Sequence, residues 1–264
     1  MSLEAKVYII GAGPGDPELI TVKGLRILQQ ADVVLYTDSL VRDELIGMAN
    51  PRAAIHKSAG MALEELVAVM VEAVARGESV ARVHTGDPAV FGAVLEQIAA
   101  LARTGVACEI VPGVSSVFAA AAVLGAELTV PDLTQTVILT RMGGRTPTPE
   151  REQLRDLARH HCTVALFLSA TLAGQAVEEF REAGWSVDTP VAVVQKATWP
   201  EQKIIRTTLG GLVRAMGDGH ISSHAMILAG WALDPALRDK GEHQSKLYDR
   251  SFTHRYRKGV TADD

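Results

Sequence analysis

The residues best placed for chemistry cluster near the start of the chain. Gly11, Gly13, Pro14, Asp16 and Pro17 stand together in GAGPGDPELIT, directly after the apolar run Val7–Ile10. A glycine turn that leaves a strand and enters a helix can cradle a pyrophosphate, because bare backbone N–H groups face the ligand. The dinucleotide pattern G-x-G-x-x-G needs a third glycine at position 16, where this chain has Asp16. A carboxylate there would repel the phosphates, and Pro14 removes one of the N–H groups that would bind them. Asp38 imitates the ribose-binding acid that follows the second strand of such folds, but the loop itself does not fit. Three readings of the turn stay open: a purely structural bend, a site for a ligand other than a dinucleotide, and, with the poorest fit, a dinucleotide site.

Two later stretches repeat the same chemistry. VARVHTGDPAVFG (Val80–Gly92) again runs from strand to Gly86, Asp87 and Pro88. VPGVSS (Val111–Ser116) ends a third strand and places Ser115 and Ser116 at a helix start, where capping alone would explain them. In open α/β sheets, ligands bind at the carboxyl ends of strands. Three Gly/Pro-rich strand exits in one small domain therefore point to a shared crevice.

The elements that must position these loops follow from the apolar spacing. Strands are expected at Lys6–Ile10, Asp32–Tyr36, Ala53–His56, Ser79–His84 and Ala107–Val111, with helices at Val22–Gln30, Ala89–Arg103 and Ser115–Leu124 between and after them. Leu63, Leu66, Val67, Met70, Val71 and Val74 mark one helix face, with Gly77 where a closing glycine belongs. This alternation predicts a mostly parallel sheet covered by helices. The pattern pauses at Glu127–Asp132 and restarts with strands at Thr134–Thr140, Thr163–Ser169, Pro190–Ala197, Lys203–Thr208 and His224–Gly230. One helix, Leu172–Ala183, is closed by Gly184. The last strands follow one another with little helix between, so part of this second sheet is expected to be antiparallel. The expected division is a domain over 1–130, a second over 131–235, and a polar tail over 236–264 that is partly disordered or partner-bound. Arg141–Glu150 reads as a long loop.

The bulk properties exclude several functions. The net charge of the 264 residues is -5 and hydrophobic residues make up 47%, so nothing suggests a nucleic-acid partner. The longest apolar run, Val117–Ala126, is about half of what a membrane helix needs, and no signal segment precedes the first strand. Cys108 and Cys162 form no ligand pair, which suits a reducing, cytoplasmic setting. His220 and His224 are spaced i, i+4, but HISSH lacks the glutamate of a zinc hydrolase, and consecutive His160, His161 and Cys162 cannot converge on one ion. No metal site is expected.

The stretches GAGPGDPELIT, ADVVLY, HTGDPAVFG and VPGVSSVFAAAA resemble the tetrapyrrole methylase family, over about residues 5 to 235. The resemblance implies an α/β protein of two domains, each a sheet flanked by helices, with the active site in the cleft between them. It implies S-adenosylmethionine (SAM) as methyl donor, S-adenosylhomocysteine as product, a small-molecule tetrapyrrole as acceptor, and a homodimer. Within the family, AGMALEE, VPDLTQTVILTRMGGRTP, KATWP and MILAGWALDP resemble the branch that methylates precorrin-4 at C11 on the way to cobalamin, as the metal-free or the cobalt-loaded substrate. The tail SKLYDRSFTHRYRK inclines toward the late-cobalt enzymes. An NAD-linked oxidoreductase is the alternative of another class.

Carried over by motif, the positions implied to hold SAM are Pro14, Thr85, Gly86, Asp87, Val90, Ser115 and Ser116, then Leu168 and Ala197, and with them Ala229 and Gly230. A sulfonium needs no acid to activate it, only a nucleophile held in line with the S–CH3 bond. Positioning alone supplies about 7–11 kcal/mol in well-oriented pairs. The acceptor's carboxylates call for cations, of which Arg141 and Arg145 are the leading candidates, ahead of Lys196 and Arg206. Asp38 is the candidate to orient the substrate or accept a proton, with turn capping as its structural alternative.

Overall fold

The computed structural model describes residues 3–237 and 243–260. Its contacts divide the chain into two compact units, Met1–Ala120 with Lys196–Gln202, and Ala121–Gln195 with Lys203–Asp264.

The first unit runs β1 (Val7–Gly11), α1 (Val22–Leu28), β2 (Val33–Tyr36), α2 (Asp43–Ile46), β3 (Ala54–Lys57), α3 (Leu63–Ala75), β4 (Val80–His84), α4 (Val94–Arg103) and β5 (Cys108–Val111). Helix α5 (Ser116–Leu124) then carries the chain into the second unit. The strand order is β3-β2-β4-β1-β5. Every pairing in this sheet is parallel, so both faces must be covered. That explains the unbroken apolar run of β1: Val7 and Ile9 pack on one face, Tyr8 and Ile10 on the other. Leu66, Met70 and Ala73 are the buried stripe of α3. The helix closes where Gly77 takes φ +82°, which lets Gly77 N–H reach Val74 O at 2.9 Å and Glu78 N–H reach Ala73 O at 3.1 Å. Helix α4 starts five residues later than the sequence pattern predicts. Phe91 and Ala93 adopt left-handed φ of 53° and 49°, and Ala89–Ala93 becomes part of the exit loop.

The second unit runs β6 (Val137–Arg141), α6 (Leu154–Ala158), β7 (Thr163–Phe167), α7 (Ala173–Glu182), β8 (Pro190–Gln195), β9 (Lys203–Thr208), α8 (Leu212–Asp218) and β10 (Ala225–Ala229). The order is β6-β7-β10-β8-β9. Only β6 and β7 pair in parallel; β10 runs antiparallel to β7 and β8, and β8 antiparallel to β9. Phe180 of α7 and Trp185 pack as tilted rings with centroids 4.5 Å apart in its core, and Trp185 Nε1 donates to Ala158 O at 2.7 Å. Helix α8 corrects the expectation of little helix between the last strands. Gly210, Gly211, Gly217 and Gly219 mask it in the sequence, and burial of Leu209, Leu212 and Met216 stabilises it.

In the tail, Lys246–Tyr248 forms one 3-10 turn, and His254 and Arg257 bridge each other. The stretches 238–242 and 261–264 of the predicted tail lie outside the described residues. No helix among the described residues is long and apolar enough to cross a membrane.

Candidate active site

The order of the first sheet brings the three exit loops side by side, because β4, β1 and β5 are neighbours. Strand β2 continues to β3 on one side and β4 to β5 on the other, so the carboxyl ends of β2 and β4 flank a switch point, where open α/β sheets take their ligands.

The loops are laced together through backbone. Gly13 N–H donates to Gly86 O at 3.2 Å and Gly86 N–H donates to Gly13 O at 2.8 Å. Ala12 N–H donates to His84 O at 2.6 Å. These are N–H groups that a dinucleotide loop would turn toward a pyrophosphate, and here they are spent on the neighbouring loop. Asp16 accepts from Glu18 N–H at 2.9 Å and caps the short turn Pro17–Leu19. Asp87 joins the second loop to the third: one carboxylate oxygen accepts from Gly113 N–H at 2.9 Å, the other from Ala89 N–H at 2.8 Å. Where the loops meet, side chains have no room. A Cβ on Gly113 would lie 2.2 Å from Gly86 O, and one on Gly11 would lie 2.6 Å from Gly113.

The predicted positions divide between the units. Pro14, Gly86 and Ser115 are buried in the laced region, Asp87, Val90 and Ser116 are partly buried, and Thr85 is exposed. Ala197 belongs by its contacts to the same unit and is buried. Asp38 follows β2 and accepts from Ala59 N–H at 2.9 Å, a tie from the β2 exit to the segment after β3. In the second unit, Leu168 follows β7 with φ 54° and is 70% exposed. Ala229 ends β10 and is buried, and Gly230 follows with φ 138°. The guanidinium of Arg141 closes its own loop, donating to Thr146 O at 3.0 Å and Pro147 O at 2.9 Å. Arg206 caps α5 through Leu124 O at 2.7 Å. Lys196 lies 5.3 Å from the Trp199 ring and 4.0 Å from Glu201. Arg145 is exposed and makes no hydrogen bond or ion pair with the described residues. Among those residues, no group of three or more His, Cys, Asp or Glu is placed to hold a metal ion.

A family model described as Tetrapyrrole (Corrin/Porphyrin) Methylases matches residues 6–213. The chain belongs to the tetrapyrrole methylases. This methylase is 63% identical over 258 residues to the cobalt-precorrin-4 C(11)-methyltransferase of Priestia megaterium, covering 98% of this chain and 100% of the relative. It is 44% identical to the precorrin-4 C(11)-methyltransferase of Pseudomonas aeruginosa, over 96% of this chain and 99% of that one. Its fold is similar to the X-ray structure of a cobalamin biosynthetic enzyme, cobalt precorrin-4 methyltransferase, with TM-score 0.86 and 64% identity over 88% of this chain and 97% of that one. A uroporphyrin-III C-methyl transferase from Thermus thermophilus, complexed with S-adenosylhomocysteine, matches with TM-score 0.73 and 28% identity over 86% of this chain and 98% of that one.

Two residues of the methylase's β4 escaped the sequence reading. Arg82 is buried without a carboxylate partner among the described residues. Its guanidinium donates to Gln97 Oε1 (3.2 Å), Leu35 O (3.3 Å), Ser58 Oγ (3.0 Å) and Thr37 Oγ1 (3.3 Å), tying the ends of β2 and β3 to α4. Burial lowers its pKa to about 10, which leaves it protonated near neutral pH. His84 beside it is pushed down to about 4, first by burial and then by the Arg82 charge, so it is neutral there. Its buried Nε2 has no hydrogen-bond partner among the described residues. The available signal was a charged residue between apolar ones in the central strand segment VARVH, which a parallel sheet buries on both faces.

Proposed function

We propose that this methylase transfers the methyl group of SAM to C11 of precorrin-4, as the metal-free or the cobalt-loaded substrate, giving the corresponding precorrin-5 and S-adenosylhomocysteine in cobalamin biosynthesis. The observation that carries the reading in the geometry is the lacing of Gly13, Gly86, Asp87 and Gly113, which builds the site from backbone and spends its N–H groups internally. No cation stands among Pro14, Thr85, Gly86, Asp87, Val90, Ser115 and Ser116. Such a surface suits a neutral adenosyl group and a sulfonium better than a pyrophosphate, so the dinucleotide alternative loses its support. When bound, SAM supplies an electron-poor methyl carbon. The residues' task is to hold a ring carbon in line with it and to exclude water.

In this reading Pro14, Thr85, Gly86, Asp87, Val90, Ser115, Ser116 and Ala197 hold the donor in the first unit. Leu168, Ala229 and Gly230 are the second unit's donor residues. Asp38 orients the acceptor through the carboxylate oxygen that Ala59 leaves open. Arg145, with no partner among the described residues, meets a substrate carboxylate, while Arg141 shapes the loop that presents it. The relatives named for the cobalt-loaded substrate are 63% and 49% identical, against 44% for a relative named for the metal-free one. That gradient favours cobalt-precorrin-4 as the acceptor. We further assign the protein to the cytoplasm as a homodimer.

The test is incubation with methyl-labelled SAM and each acceptor separately. Label in precorrin-4 or its cobalt form, at C11, supports the reading. Label in uroporphyrinogen III alone overturns it, as would tight NADH binding without S-adenosylhomocysteine binding. Pro14→Ala should weaken S-adenosylhomocysteine more than it destabilises the fold.

A further inference from the structure

Strands β8 and β9 are paired up to Gln195 and Lys203, and a turn of about two residues would join them. The chain instead spends Lys196–Gln202 in contact with the first unit. These residues grip the glycine loop after β1. Trp199 Nε1 donates to Pro14 O at 2.8 Å, and Asp16 N–H donates to Thr198 Oγ1 at 2.9 Å. The Cδ1–Nε1 edge of the indole occupies the space beside Gly15, where a Cβ would fall 2.0 Å from Trp199 Cδ1. Gly15 is therefore glycine because Trp199 covers it.

The gripping segment is itself held in an unfavourable shape. Lys196 and Thr198 have φ of 49° and 68°, and a β-branched residue rarely adopts that region. Strain of this kind persists where surrounding contacts over-determine it, and it collects at functional sites. Thr198 N–H donates to Gln202 Oε1 at 2.7 Å, and Trp199 N–H donates to Lys196 O at 3.0 Å. Arg42 and Lys196 lie 5.5 and 5.3 Å from the indole.

We propose that Trp199 and Thr198 are positioning residues for methyl-donor binding. They fix the Pro14–Asp16 backbone against the second exit loop, and they seat Ala197 beside it. The proposal rests on the reading of Pro14 and Ala197 as donor-binding residues. It adds that the Pro14 loop does not hold its binding shape by itself.

The experiment titrates S-adenosylhomocysteine into the full-length wild type, Trp199→Phe, Thr198→Val and Thr198→Ser, and records thermal unfolding of each. Trp199→Phe keeps a ring over Gly15 but loses the N–H donor; Thr198→Val keeps the shape but loses the acceptor. Each is expected to weaken binding on the order of fivefold to tenfold, as loss of one hydrogen bond does. KM for SAM should rise by the same factor, with kcat at saturating donor and KM for the tetrapyrrole unchanged. Unfolding midpoints should stay within ~3 °C of wild type, and Thr198→Ser should restore affinity. Undiminished affinity in both variants overturns the proposal and leaves the methyltransferase reading standing. So does a loss of stability with both KM values rising together, which marks a structural role only. A wild type that fails to bind S-adenosylhomocysteine overturns both.

Discussion

The strand exits of the two units are held in different ways. In the first unit, the loops after β1 and β4 exchange backbone hydrogen bonds, and the loop after β5 presses its Gly113 backbone against both. In the second unit, the corresponding ties run through side chains. The Ser169 hydroxyl accepts from Met142 N–H at 2.9 Å and donates to Phe167 O at 2.7 Å, joining the loops after β6 and β7. The Arg141 guanidinium closes the turn that reaches Pro147. Backbone lacing tolerates many changes of side chain but no added Cβ at the crossing. Side-chain lacing has room for Cβ atoms, yet each tie can be deleted singly. The first arrangement fixes the shape of its crossing; the second leaves a surface that substitutions can reshape.

The strongest way to break this contrast is Gly113→Ala. With its Cβ 2.2 Å from Gly86 O, the variant should lose about 3–5 kcal/mol in urea unfolding and all measurable S-adenosylhomocysteine binding. A loss under ~1 kcal/mol would mean that the crossing can open. Acid gives the next largest effect. His84 has its pKa lowered from 6.5 to about 4, so the unfolded chain binds the extra proton between those values. Its contribution is fully present above pH 6.5 and falls by about 3 kcal/mol as pH drops toward 4. His84→Gln should flatten the stability curve in that window, and an unchanged slope would place the acid sensitivity elsewhere.

In the second unit, Ser169→Ala leaves the buried Met142 N–H unpaired. We expect a cost of about 1–2 kcal/mol in thermal unfolding, with donor binding much less affected than in Gly113→Ala. The smallest effects separate two arginines. Arg141→Ala should cost under ~1 kcal/mol and loosen its loop, visible as faster amide exchange at residues 142–148. Arg145→Ala should leave stability unchanged and raise KM for the tetrapyrrole alone. If the two variants behave alike, Arg141 also meets substrate.

Patterns of short range were legible in the sequence. The alternation of apolar runs, the three glycine exits and the closing glycines Gly77 and Gly184 depend on neighbours a few residues apart, and the structure contains each of them. Helix α8 was not legible, because its glycine-rich sequence has weak intrinsic preference and packing alone selects the helix. The start of α4 was misplaced because Phe91 and Ala93 take backbone angles that no local signal announces.

The site follows the same division. The sequence by itself determined where the glycine-rich strand exits fall, that Asp16 spoils a dinucleotide turn, and which family the motifs resemble. Only the tertiary structure decided what the polar groups in those loops are doing. It gives Asp87 to Gly113, buries the charge of Arg82 among neutral oxygens, and lays Trp199 on Gly15 across 184 positions of chain. Hydrogen bonds and close approaches of this kind depend on distance in space, and a linear pattern of residue types does not encode that distance until the sheet has set it.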